Sequence, residues 1–309
     1  MGFVLAPEVA AEWIDDDGAN AEVLFPYLNG DDLNSRPDGS ASRWVVDFGE
    51  RTQRDAEGFA APWSLLERRV KPERLTKDAR KYPRMVNEWW KFWNARPGMR
   101  KAIARLDDVL VITLHSKAVM PLRVPTGQVL SHALGVFATG SYADQAVLSS
   151  SLHQTWAITY GSTLETRIRY TPSDVFETFP RPKPTQQLAD VGKVLDTERR
   201  EIMLRRDLGL TKVYNLINDP DIADPADADV ARLRAIHVEL DEAVMDAYGW
   251  ADVPLDHGFH TYRQMQRWTV SPAARVEILD RLLEENHRRA AAQGGQLLPV
   301  ADDDQDEDE

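Results

Sequence analysis

The chain contains no cysteine. Disulfides and every zinc site built on thiolates are therefore excluded, and the composition fits a reducing cytoplasm. No apolar run approaches the ~20 residues that a membrane-spanning helix needs. The opening residues, Met1-Gly2-Phe3-Val4-Leu5-Ala6-Pro7-Glu8, lack the basic flank and longer apolar stretch of a secretory signal. Also missing is a glycine-rich strand–turn–helix fingerprint for a nucleotide or for S-adenosylmethionine. No Asn/Asp-Pro-Pro-aromatic tetrapeptide, Gly-x-Ser-x-Gly elbow or Walker loop occurs. A complete enzyme of those classes is not expected.

Bases are outnumbered, with 37 Lys/Arg against 50 Asp/Glu and a formal net charge of −13. That balance argues against a nucleic-acid partner, because phosphate contacts need Lys and Arg. The charge is uneven, however. Residues 302–309 carry seven acids and no base, and residues 1–63 carry thirteen acids against four bases. Residues 64–123 hold fifteen Lys/Arg against six Asp/Glu, a local net of +9. Such a segment is either an electrostatic footprint for a polyanion or a solvated, salt-bridged helix face, and charge alone favours the second.

The length of 309 residues suits two modest domains or one large one. Residues 1–60 read as loops and short strands, with turn signals at Asn29-Gly30-Asp31 and Arg36-Pro37-Asp38-Gly39 and an alternating strand over Ser42–Phe48. Residues 63–105 read as helix broken by Pro72, Pro83 and Pro97. Antiparallel strands are expected over 108–139, around the β-branched run Val109–Leu114. One helix is expected over 141–160, capped by Ser141, and one strand over Thr163–Tyr170. Arg181-Pro182-Lys183-Pro184 marks a boundary. Beyond it lie helices over 190–208 with Gly209 as the C′ residue, over 229–248 with Gly249 after it, and from Ser271-Pro272 to about 292. The acidic tail from 294 should be disordered. The expected fold is α+β: a mixed α/β domain with antiparallel strands over 1–182, an all-helical domain over 183–293, and the tail 294–309.

Asp256-His257-Gly258-Phe259-His260 contains metal-ligating residue types, but the spacing matches no helical pair and no further ligand cluster accompanies it, so ordinary loop histidines are the better reading. No metal is expected. Trp89, Trp90 and Trp93 sit among bases and could stack on exposed nucleobases, although their spacing is more simply that of a core face. If Thr163–Tyr170 is a strand, Glu165 and Arg167 share a face. Arg can donate two hydrogen bonds to guanine O6/N7 and Glu can accept from cytosine N4, at about 1–3 kcal/mol of discrimination per good contact. Taken alone, a surface salt bridge worth about 0–1 kcal/mol is the simpler reading of the pair.

The wider context changes that balance. The segment Phe25-Pro26-Tyr27-Leu28-Asn29-Gly30-Asp31-Asp32-Leu33-Asn34-Ser35-Arg36-Pro37-Asp38 begins an ordered series. Ser42–Phe48, Val70-Lys71-Pro72-Glu73-Arg74, Ser116-Lys117-Ala118-Val119, Val124–Val129 and Leu148-Ser149-Ser150-Ser151-Leu152-His153 follow. The series then reaches Arg169-Tyr170-Thr171-Pro172 through Pro180. It resembles the target-recognition domain of MmeI-like (type IIL) restriction–modification enzymes. Glu201–Leu204, Gly209–Asn215, Ala247-Tyr248-Gly249-Trp250 and His257-Gly258-Phe259 resemble the helical C-terminal domain of the same family.

In that family one polypeptide carries nuclease, adenine-N6 methyltransferase and recognition parts in that order. The resemblance implies that this chain corresponds to the last part, either as the partner of a separate methyltransferase chain or as a truncated remnant. It implies double-stranded DNA as partner, no cofactor in this chain, and S-adenosylmethionine in the methyltransferase part. The family's specificity-determining side chains, two residues apart, precede the Arg-Tyr-[Ser/Thr]-Pro segment, which implies base reading by Glu165 and Arg167. Ser116 and Lys117 match a family motif, for which phosphate contact is expected, as it is for Arg169. Arg43 and Arg36 are weaker candidates for the same role. The alternative is a scaffold that binds a methyltransferase through its helical half.

Overall fold

The computed structural model describes residues 2–116, 119–164, 167–262 and 265–292, with the backbone alone at 163, 164 and 167. It is a mixed α/β fold with antiparallel sheets and a helix-rich C-terminal half. The first layer holds β1 (Val4–Leu5), α1 (Pro7–Asp16), β2 (Leu24–Leu28), α2 (Gly30–Ser35) and β3 (Arg43–Val46). The β3 strand lies between β1 and β2 and is antiparallel to both, with Val45 opposite Val4 and Phe25. The sequence reading missed α1. Pro7 looks like a breaker, yet at the first helical position it costs nothing, and Val9, Ala10, Trp13 and Ile14 then turn one apolar stripe inward. Asn29 caps α2 by accepting hydrogen bonds from the backbone N–H of Asp31 and Asp32 at 2.8 and 3.0 Å.

Next come α3 (Gln53–Glu57), α4 (Ala60–Arg69), α5 (Lys71–Arg74), α6 (Pro83–Asn87) and α7 (Pro97–Ile103). Pro72, Pro83 and Pro97 each sit in the first two positions of a helix, so the expected breaks are helix starts. Trp89 and Trp90 are 5% and 6% exposed and close a separate small core with Leu5, Phe48, Leu66 and Val70. Trp93 departs from that core face. It is 42% exposed and meets Tyr82 edge-on at 5.6 Å. Part of the basic charge of this region is spent internally, with Lys71 on Glu67, Arg84 and Lys91 on Glu50 and Glu88, and Arg100 on Asp47. Arg68, Arg69, Arg80, Lys101 and Arg105 remain exposed.

The centre of the molecule holds β4 (Asp108–Thr113), β5 (His115–Ser116), β6 (Leu122–Pro125), β7 (Val129–Leu130) and β8 (Leu134–Phe137). The antiparallel order is β6-β4-β8, and Val109, Leu110, Val111 and Ile112 of the middle strand are all buried. Burial on both faces is what an unbroken apolar run calls for. The β7 strand pairs in parallel with β2 and joins the first layer to the centre. The single helix expected over 141–160 is two, α8 (Tyr142–Ser149) and α9 (Ser151–Tyr160). Ser150 is extended between them, and its hydroxyl caps α9 by accepting from the N–H of His153 at 3.2 Å. Then follow β9 (Ser162–Leu164), β10 (Arg167–Arg169) and α10 (Pro172–Val175).

The remaining elements are α11 (Gln186–Arg206), α12 (Leu210–Ile217), α13 (Ala228–Tyr248), β11 (Gly258–Tyr262), β12 (Met265–Thr269) and α14 (Pro272–Ala292). Ser271 caps α14 and Gly249 ends α13 at φ 76°, as the sequence suggests. Asp207, not Gly209, takes the left-handed position after α11. Gly209 serves a different need, since a Cβ there would collide with the backbone of Ser35. The C-terminal half is not all-helical: β11 and β12 form a hairpin, closed by an edge-on contact of Phe259 with Trp268 at 5.2 Å. The larger core runs from Leu28 and β4 through α8 and α9 into α11, α13 and Leu282 of α14. No helix among the described residues is long and apolar enough to cross a membrane.

Candidate nucleic-acid interface

The residues singled out near position 165 converge on a small sheet of order β5-β10-β9. The continuous strand expected over 163–170 is instead a hairpin, because β9 ends at Leu164, β10 begins at Arg167, and the two pair antiparallel with Arg167 opposite Leu164. Glu165 lies outside the described residues, as does Lys117. Of Arg167 the backbone is described, and it opens the central strand of the sheet. Ser116 stands on β5 opposite Ile168 and is half-buried, while Arg169 is exposed. The fold thus gathers Ser116, Arg169 and position 167 into one sheet. Arg43 is exposed on a different sheet, on β3. Arg36 is engaged locally, donating from Nε to the Ser40 hydroxyl at 3.1 Å and lying 3.6 Å from Asp38.

Alternation along β10 divides the sheet into an inner and an outer face. Ile168 and Tyr170 point inward and are 3% and 2% exposed, whereas Arg169 points outward. The inner face rests on an aromatic floor, with Phe137 edge-on to Tyr170 at 5.9 Å and Phe179 against His153 at 5.1 Å. Tyr170 extends the β5 pairing by donating its N–H to the Leu114 carbonyl at 2.7 Å.

The polar atoms beneath this floor are fixed by one buried relay. His153 Nδ1 lies 2.8 Å from the Leu148 carbonyl, which can only accept, so Nδ1 carries the proton. Its Nε2 is then an acceptor and receives the Tyr170 hydroxyl at 3.0 Å. Burial drives the His153 pKa down to about 4, against a smaller opposing effect of the Leu148 bond, and keeps the ring neutral. Burial likewise pushes the Tyr170 phenol up, which keeps its proton in place for donation.

Gly161 sets the start of β9. A Cβ there would run into the carbonyl oxygen of Ala157 and approach that of Arg169 to 3.1 Å. Only a residue without a side chain lets the strand leave α9 and lie against β10 so directly. Neither the reversal nor this approach has a turn dipeptide to announce it; Leu164-Glu165-Thr166-Arg167 contains no Asn-Gly or Asp-Gly. His115, opposite Arg169 on β5, was also missed, because only the strand register brings it there.

A second polar cluster ties the C-terminal hairpin to the helices. His257 Nε2 lies 2.8 Å from Asp241 Oδ2, and Asp241 Oδ1 accepts the Ser151 N–H at 2.7 Å. Arg199 donates to the Tyr214 hydroxyl at 3.3 Å, and that hydroxyl is 3.0 Å from Nε2 of His237, whose pKa burial lowers to about 4. His260 contacts the Asp256 carbonyl. Among the described residues no group of three or more His, Asp or Glu is placed to hold a metal ion. The two histidines of the 256–260 motif act as hydrogen-bonding loop and strand residues.

The family model described as MmeI, target recognition domain, matches residues 2–183. A search of curated proteins finds no match. Among solved structures, one described as the type IIL restriction-modification enzyme MmeI in complex with DNA superposes with a TM-score of 0.64 at 19% sequence identity. The match covers 94% of this chain and 34% of that one, so the chain spans about a third of the length of that relative. Identity at that level shows a shared fold. The family model covers more than half of the chain's 309 residues, and the chain belongs to the family of the MmeI target recognition domain.

Proposed function

We propose that the chain is the module that reads a specific double-stranded DNA sequence for a restriction–modification adenine-N6 methyltransferase. The observation that carries this reading is the β5-β10-β9 sheet. Its inner face is sealed and its outer face exposed, and it lies within residues 2–183, the stretch that matches the recognition-domain model. The antiparallel β9–β10 pair, with its strands about 4.8 Å apart, is a two-stranded ribbon of the kind that a major groove of about 12 Å admits. Arg167, at the start of the central strand, would donate to guanine O6/N7. Glu165, two residues earlier, would accept from cytosine N4.

Phosphates would be held by Lys117 and Arg169, with Arg43 on another sheet and the exposed bases of α4 and α7 further out, whereas Ser116, opposite the inward-facing Ile168, is turned from the outer face. Arg36 would first have to leave Asp38. Methyl transfer and S-adenosylmethionine binding belong, in this reading, to a methyltransferase part outside these residues, and the cytoplasm is where the two would meet DNA.

The test is equilibrium binding of the full chain to a randomised duplex library. Exchanging the two residues, Glu165→Arg with Arg167→Glu, should alter the preferred base pair at one position, and an unchanged preference would sink the base-reading assignment. A second reading, a scaffold that braces a methyltransferase through α11 and α13, would be favoured by tight binding to that enzyme with no DNA affinity in the joint complex.

A further inference from the structure

We infer that His115 is a DNA-backbone contact, one of three hydrogen-bond donors, with Arg169 and Ser162, that lie in a row across the outer face of the β5-β10-β9 sheet and hold a phosphate. The inference rests on the proposed role of this sheet in DNA reading. Its basis is the strand register. Arg169 on the central strand pairs with His115 on one side and Ser162 on the other. All three residues are exposed. The neighbouring row, with Ser116 opposite Ile168, belongs to the inner face, because Ile168 is buried and successive positions alternate.

Directly opposed residues on antiparallel strands hold their Cβ atoms about 4.5–5.5 Å apart, so an imidazole, a guanidinium and a hydroxyl stand within a span of about 10 Å. The row combines three donor types that commonly meet phosphate oxygens, and it contains no carboxylate. Its height on the hairpin decides between backbone and base. The row sits two residues, about 6.8 Å at 3.4 Å per residue, behind the Leu164–Arg167 pair that adjoins the reversal. With the tip of the hairpin toward the groove floor, a row one pleat nearer the protein body meets the groove rim, where the phosphates run.

The experiment is binding of the full chain to the same duplex library, together with titration of one preferred duplex over a range of salt. His115→Ala should weaken binding to every duplex by about three- to tenfold without changing base preference, His115→Lys should restore affinity, and His115→Glu should be weaker than Ala. A change of preference at one base pair in His115→Ala would overturn the backbone assignment in favour of base reading. Wild-type affinity in His115→Ala alongside a loss in Arg169→Ala would remove His115 from the interface. If Arg169→Ala and the Glu165/Arg167 exchange are also without effect, the sheet is not the DNA face, and the parent reading fails with the inference.

Discussion

The Tyr170 hydroxyl donates to Nε2 of His153 across 3.0 Å inside the core, and both residues sit directly under the strand that carries Arg169. The bond joins α9 to the far end of β10, so the central strand of the candidate reading sheet is pinned from below as well as paired on both sides. Tyr170→Phe keeps the ring and its packing on Phe137 but leaves a buried imidazole nitrogen without a donor. Loss of a partner to a buried polar atom costs about 1–3 kcal/mol. Urea denaturation should register that loss, and an unchanged midpoint would show that the hydroxyl is dispensable.

The same histidine makes stability depend on pH. His153 and His237 are both held near a pKa of about 4, with burial the principal cause, against an ordinary value of 6.5. The unfolded chain therefore binds protons between those values that the folded chain refuses. Stability is fully present above about pH 6.5 and falls as pH drops toward 4, by up to about 3 kcal/mol for each ring. Urea midpoints measured at pH 7 and pH 4.5 should separate accordingly. In His153→Gln the separation should shrink, because one of the two sites no longer titrates. Equal separation in both proteins would refute the assignment to His153.

Where one physical preference decides a local structure, the sequence displayed it. The run Val109–Ile112 is buried on both sides of the central strand, Ser271-Pro272 opens α14, and Gly249 takes the left-handed turn. Where two local readings are near in energy, tertiary contact chose. Asp207 adopts φ 53° at the end of α11, because Gly209 is needed two residues later for the close approach to Ser35. Ser150 divides a segment whose apolar pattern continues through it. The candidate site shows the same limit. Alternation placed position 167 and Arg169 on a strand, but the hairpin reversal has no turn dipeptide to mark it, and the row through His115 is a property of pairing between residues more than forty positions apart, which no local pattern encodes.

The His257–Asp241 pair should be a strong determinant of the C-terminal half. Asp241 is fully buried, and each of its oxygens is occupied, one by the Ser151 N–H and one by His257. Asp241→Ala removes the anion and leaves a buried amide and imidazole without acceptors. Each buried donor left without its acceptor costs about 1–3 kcal/mol. Thermal unfolding should show a large drop for Asp241→Ala and a smaller one for Asp241→Asn, which retains an acceptor. A drop no larger than that of a surface substitution would mean that the cluster relaxes or hydrates freely.

Gly161→Ala should separate the sheet from the core it stands on. The added methyl would meet the carbonyl oxygens of Ala157 and Arg169, both backbone atoms that cannot swing away as a side chain would. One of them lies in the last turn of α9 and the other on β10, so relief requires β9 to shift relative to its partner strand. The expected cost is about 1–3 kcal/mol, the usual range for overpacking a tight site. Residues of β4, α8, α11 and α13 supply a large share of the larger core and are not among the atoms nearest this point, so the protein should still fold cooperatively. If the hairpin reads DNA, base preference should broaden in the library experiment by more than the fall in thermal stability would suggest. The alternative outcome, a matched loss of stability and affinity with base preference intact, would show that Gly161 serves the fold as a whole and that the register of β9 is not what sets recognition.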